Sequence, residues 1–109
     1  MNSSDSIYLK HILECLDRIS SYTVDGRDVF LADVKTQDAV LRNLQVMAES
    51  TQKISEELKA KHPEIPWKKL SGFRNILVHN YLGLNMSRIW VVVENEVLAL
   101  RRQIEFISI

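Results

Sequence analysis

Apolar residues recur along this chain at three- and four-residue steps, and the steps fall into four separate runs. In the first run, Ile7, Ile12, Leu13, Leu16 and Ile19 follow Ser3, Ser4 and Asp5, three residues suited to capping a helix. The spacing predicts a helix over about residues 4–21. Residues 22–33 hold the turn signal Asp25-Gly26 and then Val29-Phe30-Leu31, which predicts a connection with one helical turn near Phe30. In the second run, Val40, Leu41, Leu44, Met47, Ala48 and Leu58 share one stripe of a wheel turned by about 100° per residue. It predicts a helix over about residues 34–60, with Asp33 as cap. The segment Lys61-His62-Pro63-Glu64-Ile65-Pro66 ends it, because proline disfavours helical geometry in the residue before it. Pro66 suits the first turn of a third helix, from Pro66 or Trp67 to about Asn80. Gly83 breaks the pattern. Asn85 or Ser87 then caps a fourth helix to about Phe106, with Ile89, Val93, Val97, Leu100, Ile104 and Ile107 on its stripe. Ile89-Trp90-Val91-Val92-Val93 is β-prone by itself. The helical period runs well past it, so helix is the reading.

Four helices with short connections imply an all-α, antiparallel four-helix bundle with a short extra helical turn, in a single domain spanning 1–109. With only three glycines and two prolines, little interrupts such helices. Some apolar residues lie off the stripes. Val91 and Leu98 sit opposite Ile89 and Val93, and Val46 is out of register with its neighbours. A lone bundle would leave these three in water, which points to a partner or a dimer.

Charge narrows the partners. Fourteen basic and fourteen acidic side chains cancel, whereas proteins that coat nucleic acid carry a basic excess. Any positive field toward RNA must be local or supplied by a partner. Lys53, Lys59, Lys61, Lys68 and Lys69 gather around one connection, with a solvated surface as the default reading. Asp38 and Arg42 are spaced for an ion pair along one helix. Cys15 is the sole cysteine, which excludes an internal disulfide and a cysteine metal cluster, and its helical neighbours suggest a buried thiol. His11, His62 and His79 show no ligand spacing, so no metal or other cofactor is expected. No run is long and apolar enough to span a membrane. The N-terminal residues lack the basic and apolar parts of a signal peptide. The expectation is a cytoplasmic protein.

The chemistry concentrates in Gly72-Phe73-Arg74-Asn75-Ile76-Leu77-Val78-His79-Asn80-Tyr81, with the pattern R-x-x-x-x-H-x-Y. Arginine is a permanent planar cation matched to phosphate oxygens. Histidine exchanges protons near neutral pH. The trio suggests work on a phosphodiester. Leu70, Phe73, Leu77 and Tyr81 share one face of the third helix, with Arg74 at its edge. Arg74 and His79 stand about 140° apart on an ideal helix. They converge only if the helix ends near Val78, if Arg74 reaches round, or if a second copy joins both sides in a shared cleft. As an isolated pattern the trio also fits a surface ion pair, a polar-face histidine and a core tyrosine.

Context favours the sharper reading. The stretch Ile65-Pro66-Trp67 through Gly72-Phe73-Arg74-Asn75-Ile76-Leu77-Val78-His79-Asn80-Tyr81 resembles the signature of the HepT family of HEPN-domain proteins, I-P-W, a short spacer and G-x-R-N-x-L-x-H-x-Y. Asp38-Ala39-Val40-Leu41-Arg42-Asn43-Leu44 and Glu49 resemble that family's second helix, with Ala48 where the family has glycine. The resemblance covers nearly the whole chain. It implies an all-helical, HEPN-like homodimer with its cleft at the interface, acting as a metal-independent ribonuclease. It further implies a toxin encoded beside a minimal nucleotidyltransferase antitoxin, MntA, that attaches AMP to the motif tyrosine. Carried over, Arg74 and His79 are catalytic and Tyr81 is the AMPylation site. Asn75 and Glu49 are supporting residues, Glu49 as a flank that faces the cleft. The competing readings are a non-catalytic nucleotide-binding or adaptor subunit of a nucleotidyltransferase, and a purely structural interaction module.

Overall fold

The computed structural model describes residues 2–108, so Met1 and Ile109 of the expected 1–109 span lie outside the described residues. In chain order the elements are α1 (Ser3–Tyr22), α2 (Arg27–Ala32), α3 (Val34–Gln52), α4 (Glu56–Lys61), α5 (Trp67–His79), a 3-10 turn (Tyr81–Gly83), α6 (Met86–Asn95) and α7 (Val97–Ser108). No strand occurs among the described residues. The fold is all-α, and the β-prone run Ile89 to Val93 is helical within α6.

The caps decide where the elements begin, and some are not those expected. Asn2, rather than Ser3, Ser4 or Asp5, caps α1, its Oδ1 accepting from the Asp5 backbone at 2.7 Å. Pro66 is the cap residue of α5 rather than part of its first turn. Asp33 caps α3, and Asn85 caps α6 by accepting from Ser87 and Arg88. The turn expected near Phe30 is α2, and Phe30 is buried against Trp90 with ring centroids 5.4 Å apart.

Two long helices are broken. The expected helix over 34–60 stops at Gln52 and resumes at Glu56. Ser55 starts the new helix, its side chain accepting from Leu58. Its own backbone N–H and hydroxyl donate to the Asp5 carboxylate at 2.8 and 2.6 Å. A continuous helix would withdraw Ser55 from Asp5, which is only 3% exposed and would lose both donors. The fourth helix is interrupted at Glu96, whose φ of −114° departs from helical geometry. The Glu96 N–H still donates to Val92 at 2.9 Å and its carbonyl accepts from Leu100 at 2.9 Å. The interruption is therefore one distorted residue, and the apolar stripe passes through it.

α1 packs against both α3 and α7, and α3 also carries α5. Leu9, Ile12, Leu16 and Ile19 of α1 have no exposed surface. Burying each such side chain contributes about 1.5–3 kcal/mol. Ile7, expected on that stripe, is instead exposed, and Leu9 takes the inward position. α5 and α7 have no comparable contact with each other. Val46 is half-buried against the core, contrary to expectation, whereas Val91 and Leu98 are exposed as expected. No helix among the described residues is long and apolar enough to cross a membrane.

Candidate active site

The entry to α5 is fixed before the motif begins. The Trp67 indole N–H donates to the His62 carbonyl at 2.9 Å. Leu70 and Leu77, seven residues apart and both buried, set the inward face of α5. They leave Ser71, Arg74 and Asn75 beside or away from the core. Opposite them α3 offers Gln45, Glu49 and Gln52, which share one flank because they are four and three residues apart. Gln52 donates to the Ser71 hydroxyl at 3.2 Å. Gln45 donates to Glu49 Oε1 at 3.4 Å. Glu49 Oε1 lies 4.0 Å from Arg74 Nη2. Arg74 Nη1 donates to Asn75 Oδ1 at 3.2 Å.

The structure thus brings together Arg74, Asn75 and Glu49. The pair with Glu49 is long and its carboxylate is 40% exposed, a setting in which an ion pair contributes little stability. It orients the guanidinium without occupying it. Arg74 Nε is buried and has no hydrogen-bond partner among the described residues. A buried donor without an acceptor is costly.

His79 is not part of that cluster. α5 stays helical through His79 as its last residue, so the divergence of about 140° from Arg74 stands. Arg74 reaches as far as Asn75, on the His79 side of the helix, but no contact joins Arg74 to His79 among the described residues. His79 is exposed and makes no hydrogen bond or ion pair among the described residues. On its face of α5, Gly72, Asn75 and Ile76 are also exposed. A Cβ at Gly72 would meet open space. This face is partly apolar and uncovered.

Tyr81 departs from expectation. It does not continue the apolar face of α5, because the helix ends at His79 and the chain passes into a 3-10 turn, whose step per residue is larger. Tyr81 is 44% exposed and Leu82 fully exposed. Both lie two or three residues past His79. Nothing in the sequence pattern marks that change of helix type except Gly83, whose N–H donates to Asn80 at 2.9 Å.

The surrounding charges are largely paired. Lys59 pairs with Glu56, Lys61 with Glu57, and Lys69 with Glu96 at 3.0 Å. Lys53 and Lys68 form no ion pair among the described residues. The expected pair of Asp38 with Arg42 does not form among them either, since both side chains are exposed and water competes. No group of three His, Cys, Asp or Glu among the described residues is placed to hold a metal ion. Sequence reasoning missed Gln45 and the Gln52–Ser71 bridge. Their signal was the spacing of Gln45, Glu49 and Gln52 along one flank of α3.

A family model described as Ribonuclease HepT-like matches residues 12–107. A Thermococcus cleftensis protein named "Probable ribonuclease HepT" is 34% identical over 109 residues, covering 96% of each chain. A candidate RNase of Methanocaldococcus jannaschii is 41% identical over 91 residues, covering 83% of this chain and 75% of that one. A second protein of that organism, named as a gamma-glutamylcyclotransferase and candidate RNase, is 34% identical over 105 residues. The match covers 95% of this chain but only 47% of that relative, so this chain spans about half its length. No solved structure matches the chain significantly.

Proposed function

The chain belongs to the Ribonuclease HepT-like family, and from that premise we propose that it cleaves RNA without a metal, in a cleft shared by two copies. The observation that carries this reading is the split of the motif. Arg74 holds a buried, unpartnered Nε on one side of α5, while His79 stands unpartnered on another. One copy keeps them apart; a second copy against the exposed face of Gly72, Asn75, Ile76 and His79 would bring complementary halves together. Exposed Val91 and Leu98 add apolar surface for a partner.

In that cleft the ribose 2′-hydroxyl attacks the adjacent phosphorus. The His79 of one copy takes its proton as general base, and a water gives a proton to the departing 5′-oxygen. The P–O5′ bond breaks as the P–O2′ bond forms, leaving a 2′,3′-cyclic phosphate. Arg74 stabilises the charge that accumulates on the phosphoryl oxygens. Glu49 and Asn75 hold the guanidinium in place, and Gln45 holds Glu49.

The same reading makes the protein a toxin paired with a minimal nucleotidyltransferase antitoxin that attaches AMP to Tyr81. The exposure of Tyr81 supports an accessible phenol. An added phosphodiester beside Arg74 would compete with substrate phosphate for the cation. The second reading, an adaptor that holds a phosphate without cleaving, draws support from zero net charge and from the pairing of Lys59, Lys61 and Lys69 with carboxylates.

Purified protein is expected to cleave RNA in excess EDTA and to leave cyclic-phosphate ends. His79→Ala and Arg74→Ala should each remove the activity with helical circular dichroism intact. Phosphate or RNA binding without cleavage by the wild type would favour the adaptor. Activity lost on chelation and restored by magnesium would overturn the metal-free mechanism. With the partner, ATP and magnesium, intact mass should rise by AMP increments on wild type but not on Tyr81→Phe.

A further inference from the structure

We propose that the cleft between α5 and α7 is a binding site for a small, neutral, largely apolar molecule, best filled by a bicyclic aromatic. The two helices stand apart because each is fastened elsewhere, α5 to α3 and α7 to α1. Arg101 of α7 is tied to Asp17 of α1 by a guanidinium–carboxylate pair. The gap between α5 and α7 is open on one side and holds about 310 Å³. Leu70 and Phe73 form the α5 wall and Leu100 the α7 wall, with Leu16, Leu44 and Met47 beneath. Ligand sites begin at about 300 Å³, and an apolar cavity of roughly 150 Å³ already takes benzene. The volume therefore suits two fused rings.

The mouth disfavours an anionic occupant and suits a neutral one: Glu64, also on the lining, lies 3.3 Å from His62 Nδ1. Lys69 and Glu96 face each other across it at 3.0 Å and neutralise each other. Gln103 is likewise engaged, donating to the Glu64 carbonyl at 3.2 Å. The Asn95 amide, also at the mouth, has no partner among the described residues and is free to take one hydrogen-bonding group. The apolar walls hold water poorly, and aromatic rings suit both the Phe73 ring and the Met47 thioether. Phe73 faces well away from Asn75 and His79 on the wheel of α5. The proposal goes beyond the ribonuclease reading and does not depend on it.

Indole, neutral and bicyclic with one N–H, is the probe. Titrated into the full, ¹⁵N-labelled chain, it should give saturable amide shifts at Leu70, Phe73 and Leu100, with one molecule bound per chain by calorimetry. Intermolecular NOEs should connect indole to the Met47 methyl group. Ala99 is exposed at the rim, so Ala99→Trp should cover the cleft, keep the helical circular dichroism and lose indole binding. The proposal is overturned by the absence of saturable shifts at these residues. It is equally overturned by undiminished binding to folded Ala99→Trp. Should that variant fail to fold, the NOEs on wild type decide alone, and indole contacts confined to other residues reject the site. None of these readouts involves RNA cleavage, so a failed ribonuclease test leaves them standing.

Discussion

Arg74 presents its guanidinium nitrogens to different surroundings: Nη1 to Asn75, Nη2 toward Glu49, and Nε buried with no partner among the described residues. A lysine has a single ammonium and cannot serve these directions at once. Arg74→Lys should therefore lower RNA cleavage by about 10²–10³-fold while leaving the thermal midpoint nearly unchanged. A near-wild-type rate constant on a short RNA would mean that only a point charge is needed there. Cys15 illustrates the opposite kind of residue. Burial pushes its thiol up, against the lowering effect of Arg18, and it is only 2% exposed. A thiol held protonated and covered is a poor nucleophile. Iodoacetamide at pH 8 should leave the native chain unmodified and alkylate it once in denaturant; rapid native labelling would show that the helix around Cys15 opens readily. Cys15 was legible in sequence, as a buried thiol among apolar neighbours. Tyr81 was not, because its exposure depends on where α5 stops being α-helical. Nor was Val46, whose half-buried position is set by neighbouring elements rather than by its own register.

The helices were legible to the degree that their signals are periodic. All six apolar positions expected from Ile89 to Ile107 are buried, yet that period gave no warning of the break at Glu96, because the stripe passes through it. The break after Gln52 is different. Ser55-Glu56-Glu57 is a helix-start signal inside a periodic run, and the period alone overrode it. What could not be read was its remote partner. Asp5 and Ser55 are fifty residues apart, and their two hydrogen bonds tie the first turn of α1 to the start of α4. Asp5→Ala would leave a part-buried backbone N–H and a hydroxyl of Ser55 without their acceptor, at a cost of about 1–3 kcal/mol. For a domain of this size the thermal midpoint should fall by roughly 4–8 °C per kcal/mol. Hydrogen exchange in α4 should accelerate more than in α3, and uniform acceleration would show that Asp5 supports the whole bundle instead.

At the scale of the molecule, the question is whether one copy holds a complete site. α5 is a single uninterrupted helix from Trp67 to His79, so Arg74 and His79 keep their divergence of about 140°. The exposed face around Gly72 and Ile76, and the exposed Val91 and Leu98, offer a second copy somewhere to sit. A two-fold pairing would place each patch against its own equivalent. If each site takes Arg74 from one copy and His79 from the other, two dead variants can repair each other. A dimer of Arg74→Ala with His79→Ala contains one site lacking both groups and one site intact. Random mixing makes half the dimers mixed, each with one working site of two, so activity should recover to roughly a quarter of wild type. Refolding the two variants together from denaturant ensures exchange, and light scattering should report a dimer throughout. Refolding each variant alone should give no cleavage. If the mixture also stays silent while mass spectrometry confirms mixed dimers, then Arg74 and His79 of the same copy act together, and the cleft must form by a movement of α5 that this structure does not contain.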